Sequence, residues 1–123
     1  MKDAMIDRDN LMTPFQKALW SFLRERFAGV ENASPRATIE SRFFLLHESM
    51  RTDDRTFREA ISELVTVYRK PICTSPAKGY FVAKTEREKQ EALNYLDSVI
   101  SEVAGRRRAL AETDPLERQE RLF

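Results

Sequence analysis

Residues 53–64 read DDRTFREAISEL, a segment in which apolar residues recur with the spacing of an amphipathic α-helix. The apolar residues that would share one face are Phe57, Ala60, Ile61, Leu64 and Val65. Asp53 stands where a short polar side chain commonly caps a helix by accepting hydrogen bonds from backbone amides. Pro71 stands where a helix has to stop. The segment therefore predicts a helix over residues 54–69.

The next segment, residues 70–83, reads KPICTSPAKGYFVA and predicts a β-hairpin. Residues 72–74 and 80–83 contain the β-branched and aromatic residue types that favour strands. They flank the turn signal SPAKG, which ends in Gly79. A helix followed directly by a hairpin is the central pattern of this chain.

Three further helices are predicted from apolar spacing, over residues 14–28, 42–50 and 86–112. Thr13 and Pro14 fit the N-cap and the first residue of the first helix. Ile39 is an isolated apolar residue that could form a small strand with its neighbours. The predicted fold class is mainly α with a small β-hairpin (α+β), in the order helix, small strand, helix, tight turn, helix, hairpin, long helix.

The two central segments resemble the DNA-binding domain of the DeoR and biotin-operon-repressor type, a winged helix-turn-helix. In the helix the matching positions are Arg55, Thr56, Phe57, Ile61 and Leu64. In the hairpin, which corresponds to the family's wing, they are Pro71, Ile72, Lys78, Gly79 and Tyr80. Small phage or prophage proteins with a long C-terminal helix after the wing are also similar. The family's turn usually contains a glycine, whereas this chain has Arg51 in the turn before Asp53.

The resemblance implies a winged helix-turn-helix that binds double-stranded DNA and regulates transcription. The residues expected to face base edges are Arg55, Thr56, Arg58, Glu59 and Ser62. Those expected to contact phosphates are Arg42, Arg51, Arg69, Lys70, Lys78 and Lys84, with Tyr80 as a further wing residue. Two alternatives stay open: the domain could bind protein instead of DNA, and Arg58 could pair with Asp54, four residues before it.

The net charge of +1 conceals a regional pattern. Residues 1–40 are neutral, residues 41–84 carry +3 and residues 85–123 carry −2. The predicted DNA-binding region is therefore the basic part of the chain. Because this excess is small, we expect modest non-specific affinity for DNA, and useful binding would need base contacts, a second copy or another partner.

The predicted long helix carries an apolar seam with heptad-like spacing. Its members are Leu93, Leu96, Ile100, Val103 and Leu110. The seam could pack on the first helix, pair with a second copy, or do both. A homodimer is the expected state, since DNA half-sites are commonly doubled by dimerisation. The basic run at residues 106–108 suits a helix C-terminus, with an accessory nucleic-acid contact as the alternative.

The last five residues, QERLF, resemble the short peptide by which bacterial replication and repair proteins bind the sliding clamp. Gln119, Leu122 and Phe123 match this peptide, whereas Glu120 and Arg121 depart from its commoner residues. The resemblance implies an alternative function, a replication-associated adaptor that binds DNA and the clamp. These apolar residues could instead fold back onto the domain.

Domain organisation and excluded classes follow from the remaining features. The predicted parts are a flexible N-terminus (1–12), a winged-helix domain (13–84), a helical dimerisation arm (85–112) and a mobile tail (113–123).

One cysteine and one histidine predict no disulfide and no metal site. No catalytic or cofactor-binding motif is visible, so neither an enzyme nor a cofactor is expected. The longest apolar run has four residues, and no signal peptide is visible. We therefore expect a cytoplasmic, nucleoid-associated protein without membrane contact.

Overall fold

A computed structural model describes the backbone of residues 9–121 and the side chains of residues 9–118. It is mainly helical with one two-stranded antiparallel sheet, which agrees with the predicted α+β class. The elements are α1 (Pro14–Arg26), α2 (Arg36–Leu46), α3 (Asp54–Thr66), β1 (Ile72–Ser75), β2 (Gly79–Val82), α4 (Glu86–Ala111) and α5 (Leu116–Arg121). Short 3-10 turns lie at Val30–Asn32 and Glu48–Met50. No helix in this part of the chain is long and apolar enough to cross a membrane.

The chain divides into two compact units, with the boundary between Ala92 and Leu93. The boundary therefore lies inside α4, after its first two turns. Glu88 supplies a physical reason, because its carboxylate accepts hydrogen bonds from the backbone amides of Val30 (2.8 Å) and Lys84 (2.7 Å). These bonds fix the first turn of α4 to the first unit, and they lower the pKa of Glu88.

The core of the first unit is built from phenylalanine rings contributed by α1, α2 and α3. Phe43 lies at its centre, fully buried, with its ring centroid 5.5 Å from Phe15, 5.4 Å from Phe22 and 6.1 Å from Phe57. Edge-on and tilted contacts of this kind are the preferred geometry for aromatic pairs. The single histidine, His47, stacks on Phe43 at 4.7 Å. The apolar face of α1 is thus covered by α2 and α3.

The start of α1 is the predicted one. The Thr13 hydroxyl accepts a hydrogen bond from the Gln16 amide, and the Gln16 side chain accepts one from the Thr13 amide, which completes a capping box. The buried Gln16 side chain also donates to a Glu63 carboxylate oxygen at 2.6 Å, which ties α1 to α3. Met12 is buried in the core as well, so the packed domain begins within the predicted flexible segment.

The prediction for α2 was wrong at both ends. The helix spans Arg36–Leu46 instead of 42–50, and Ile39 lies inside it instead of in a strand. Ile39 and Phe43 are one helical turn apart, so both reach the core from the same face of α2. The residue that pairs with the hairpin is Ser34, just before this helix. The isolated position of Ile39 in the sequence concealed this helical spacing.

The predicted hairpin is confirmed, with Ile72 opposite Val82 and Thr74 opposite Tyr80. Ser34 extends the sheet beyond these two strands: its amide donates to the Tyr80 carbonyl at 3.1 Å, and its carbonyl accepts from the Tyr80 amide at 2.8 Å. On the same strand, Val82 exchanges backbone hydrogen bonds with Phe27 and Gly29, both at 2.8 Å. The hairpin is therefore held against the rest of the first unit through backbone bonds along β2.

The start of α3 is the predicted one, but its end comes earlier, at Thr66 instead of residue 69. Arg69 adopts a left-handed backbone conformation with φ of 57°, which turns the chain back on the helix. The Lys70 amide then donates to the Leu64 carbonyl at 2.8 Å. This turn leads the chain from α3 directly into β1.

The long helix α4 is confirmed and ends at Ala111, one residue before the predicted end. The Thr85 hydroxyl accepts a hydrogen bond from the Glu88 amide at 3.1 Å, as a capping residue does. The tail contains a short helix, α5, which the sequence pattern did not predict.

Candidate nucleic-acid interface

The outer face of α3 is the candidate site, because the polar and charged side chains predicted to bind DNA are exposed to solvent there. The residues predicted to face base edges are exposed: Arg55, Thr56, Arg58, Glu59 and Ser62. Phe57, Ile61 and Leu64 on the opposite face are buried in the core. The core thus fixes the orientation of α3 and leaves its polar face available for a partner.

Two ion pairs run along this face. Arg55 pairs with Glu59 at 3.2 Å, and Arg58 pairs with Asp54 at 3.2 Å, as the alternative interpretation of Arg58 expected. Both pairs join residues four apart on one helix and remain exposed, with 83% of the Arg55 side chain accessible. Exposed pairs of this kind contribute little to stability, because solvent screens the charges and the long side chains lose freedom. The guanidinium groups can therefore exchange these partners for others at small cost.

Asp54 is the centre of a charged cluster that the sequence pattern did not predict. Arg36, at the start of α2, binds its carboxylate with two nitrogens, at 3.0 and 3.3 Å. Burial raises the pKa of Glu40, and its hydrogen bond to Asp54 adds to that effect. The same hydrogen bond, followed by that from Arg36, lowers the pKa of Asp54. The cluster connects α2 to the start of α3, and the predicted helix 42–50 concealed it because that range begins after residue 36.

Asp53 caps α3 as predicted. Its carboxylate accepts a hydrogen bond from the Thr56 amide at 2.7 Å. Hydrogen bonds from Thr56 lower the pKa of Asp53, so the cap is charged at neutral pH. A negative charge at this end of α3 also suits the helix dipole.

The turn between α2 and α3 does not require a glycine. Arg51 has φ of −57°, which any residue adopts, so its departure from the family pattern causes no backbone strain. Its guanidinium pairs with Glu48 at 2.8 Å and lies 5.4 Å from the centre of the Phe44 ring. Arg42 is exposed on α2. Both predicted phosphate contacts thus lie at the surface, Arg42 on α2 and Arg51 in the turn before α3.

The hairpin carries one exposed lysine at its tip. Lys78 precedes Gly79 in the turn, and among the described residues it forms no ion pair within 4.0 Å. Lys84, after the hairpin, pairs with Glu31 at 2.9 Å. Tyr80 is half-buried and packs on the core, so its main observed role is structural.

Lys70 differs from the other predicted phosphate contacts because its ammonium group already has partners within the fold. Only 16% of its side chain is exposed, and its ammonium pairs with Asp9 at 2.8 Å. The same group lies 5.4 Å from the centre of the Trp20 ring. Its neighbour Arg69 is exposed in the left-handed turn. We therefore keep Arg69 in the candidate interface and assign Lys70 to packing.

The remaining predicted sites lie elsewhere in the chain. The seam of α4 is exposed in the second unit: Leu93, Leu96, Ile100, Val103 and Leu110. Of the predicted clamp peptide, Gln119 is described only by its backbone in α5, and Leu122 and Phe123 lie outside the described residues. Cys73 is buried, and burial raises the pKa of its thiol. Among the described side chains, those of residues 9–118, no cluster of potential metal ligands is present.

No protein-family model, curated protein or solved structure matches this chain. The function is therefore inferred from the chemistry and position of the residues described above.

Proposed function

We propose that this protein is a winged helix-turn-helix that binds double-stranded DNA, with α3 as the recognition helix and the β1–β2 hairpin as the wing, and that it acts as a bacterial or phage transcriptional regulator. The observation that carries the proposal is the outer face of α3. It presents two arginines, a serine and a threonine on a helix whose opposite face is fixed by the core. An α-helix fits the DNA major groove with such a face against the base edges.

The arrangement around α3 supports this proposal. A short turn joins α2 to α3, and a hairpin follows α3, in the order that the winged helix-turn-helix requires. Ser34 adds a third, strand-like segment beside β2. This segment takes the place of the small strand that Ile39 and its neighbours could have formed.

The charge pairs on α3 are compatible with base recognition. In the unbound protein, Glu59 and Asp54 hold the side chains of Arg55 and Arg58 along the helix. On binding, a guanidinium can exchange a carboxylate for guanine, whose O6 and N7 accept two hydrogen bonds from arginine. The acidic residues also repel phosphates. We therefore expect weak binding to unrelated DNA and much tighter binding to the specific sequence.

Three other cations extend the surface beyond α3. Arg42 lies on α2, Arg51 lies in the turn before the recognition helix, and Lys78 lies at the wing tip. Side chains in these positions suit the phosphates on either side of a major groove. Their contribution should be independent of base sequence and should weaken as salt increases.

Selection of bound sequences from random duplex DNA, using the full chain at about 0.1 M salt, tests the proposal. We expect enrichment of a defined motif, and an inverted repeat if two copies bind together. Tight binding without enrichment would contradict a regulator and favour a replication-associated adaptor. If the protein bound no duplex DNA at micromolar concentration, that result would contradict DNA binding and favour a protein-interaction module.

A further inference from the structure

One side of α4 in the second unit is an exposed apolar stripe. Its members and their exposed fractions are Leu93 (44%), Leu96 (50%), Ile100 (66%), Val103 (55%) and Leu110 (73%). These are five of the ten large apolar side chains that are exposed in the described chain. Residues that recur at alternating steps of three and four form one line on an α-helix. The stripe therefore has the form of a coiled-coil seam.

The charges around the stripe are unevenly distributed along the helix. Between residues 93 and 110 the acidic residues are Asp97 and Glu102, and the basic residues are Arg106, Arg107 and Arg108. The basic residues thus occupy the C-terminal third of the stripe. Arg107 occupies a position on the seam itself, between Val103 and Leu110.

This distribution distinguishes the two ways in which the stripe can pair with a second copy. In a parallel pair, each Arg107 would face the partner's Arg107, and the two arginine runs would lie side by side. In an antiparallel pair, Leu93 faces the partner's Leu110 and Ile100 faces the partner's Val103. Arg107 then faces the partner's Leu96, next to the partner's Asp97. Opposite charges meet only in the second arrangement.

We propose that a second copy of this chain covers the stripe, and that the two α4 helices pair antiparallel with Ile100 and Val103 at the centre. The register with these pairs buries every apolar member of the seam in both copies. Each Arg107 is held beside an opposite charge instead of a like one, which favours this orientation. The interface lies within residues 93–110 and is independent of the proposed DNA contacts.

Light scattering after size-exclusion chromatography tests the dimer with the full chain and without DNA. We expect a dimer at about 50 µM, and Ile100→Asp should weaken dimerisation by about a hundredfold or more, since it places a charge on both sides of the apolar centre. Ser101→Asp is the matched control, because it adds the same charge to the neighbouring exposed position outside the seam. A monomeric wild-type chain, or equal weakening by both variants, would overturn the proposal.

Cysteine cross-linking tests the orientation in a Cys73→Ser background. The Leu93→Cys and Leu110→Cys proteins are treated with a short thiol cross-linker, first separately and then as a mixture that has exchanged subunits. The antiparallel pair predicts a cross-linked dimer only in the mixture, joining position 93 of one chain to position 110 of the other. Cross-linking of each protein alone would show a parallel pair and would overturn the proposed orientation. Neither result bears on DNA binding, because no DNA is present.

Discussion

Replacing Arg55 and Arg58 together by alanine is expected to weaken binding to the selected duplex by about a hundredfold, since a good arginine–guanine contact contributes about 1–3 kcal/mol. The loss should be smaller for a scrambled duplex, because base contacts are the part of the interaction that depends on sequence. Both side chains are exposed and form only weak pairs on α3. The stability of the fold should therefore change little. Fluorescence anisotropy with the two duplexes measures both losses.

Arg87→Ala is the matched control for this experiment. Arg87 pairs with Glu91 at 3.3 Å, four residues along α4, and is as exposed as Arg55. The substitution removes one arginine charge and one pair of the same type from a different helix, half of what the α3 double variant removes. We expect less than about a threefold change in DNA affinity. Equal losses for Arg87→Ala and for the α3 double variant would show that α3 does not read the sequence.

Gly79→Ala is expected to destabilise the first unit by about 3 kcal/mol or more, the largest stability effect we predict for a single methyl group. Gly79 has φ of +106°, which residues with a Cβ rarely adopt. A Cβ there would lie 2.2 Å from the Ser34 carbonyl oxygen and 2.7 Å from the Pro35 nitrogen. Both are backbone atoms, so the strand pairing between Ser34 and Tyr80 would have to open. Urea unfolding followed by circular dichroism measures the change.

Gly105→Ala provides the control with the opposite expectation. Gly105 lies in α4 with helical geometry, and a Cβ there would meet nothing within 4 Å. Alanine in place of glycine favours a helix by about 1 kcal/mol, so this variant should be as stable as the wild type or slightly more stable. If Gly79→Ala were as stable as the wild type, that result would contradict the close approach of the hairpin to Ser34.

The elements that the sequence predicted well are those specified by local signals. The helix α3 has an aspartate cap, a regular apolar face and a proline beyond its end, and all three signals lie within 20 residues. The hairpin has two β-prone runs around a glycine-containing turn, and α4 has a threonine cap. Such signals need no knowledge of the rest of the fold.

The elements that the sequence missed depend on contacts between distant residues. Ile39 shows its helical character only through its burial beside Phe43. The strand pairing of Ser34 depends on Tyr80, 46 residues later, and no local pattern marks it. The early end of α3 depends on the left-handed conformation of Arg69, a residue type that rarely signals such a turn.

The candidate site was predictable to a similar extent. The helical period alone placed Arg55, Arg58 and Ser62 on the outer face of α3, and their exposure confirms that placement. The other features of the site depend on tertiary contacts. Arg36 pairs with Asp54, and Lys70 is largely buried and pairs with Asp9. These pairs join residues 18 and 61 positions apart, a separation at which sequence spacing carries no information.

Titration of the isotopically labelled full chain with the selected duplex, followed by amide chemical shifts, tests most directly whether α3 and the hairpin form the DNA-binding surface. We predict that the largest shifts fall between Arg55 and Ser62 and at the wing tip around Lys78. The α4 residues between Leu93 and Leu110 should change much less. Absence of saturable shifts on α3, or larger shifts along the α4 stripe than on α3, would contradict the account.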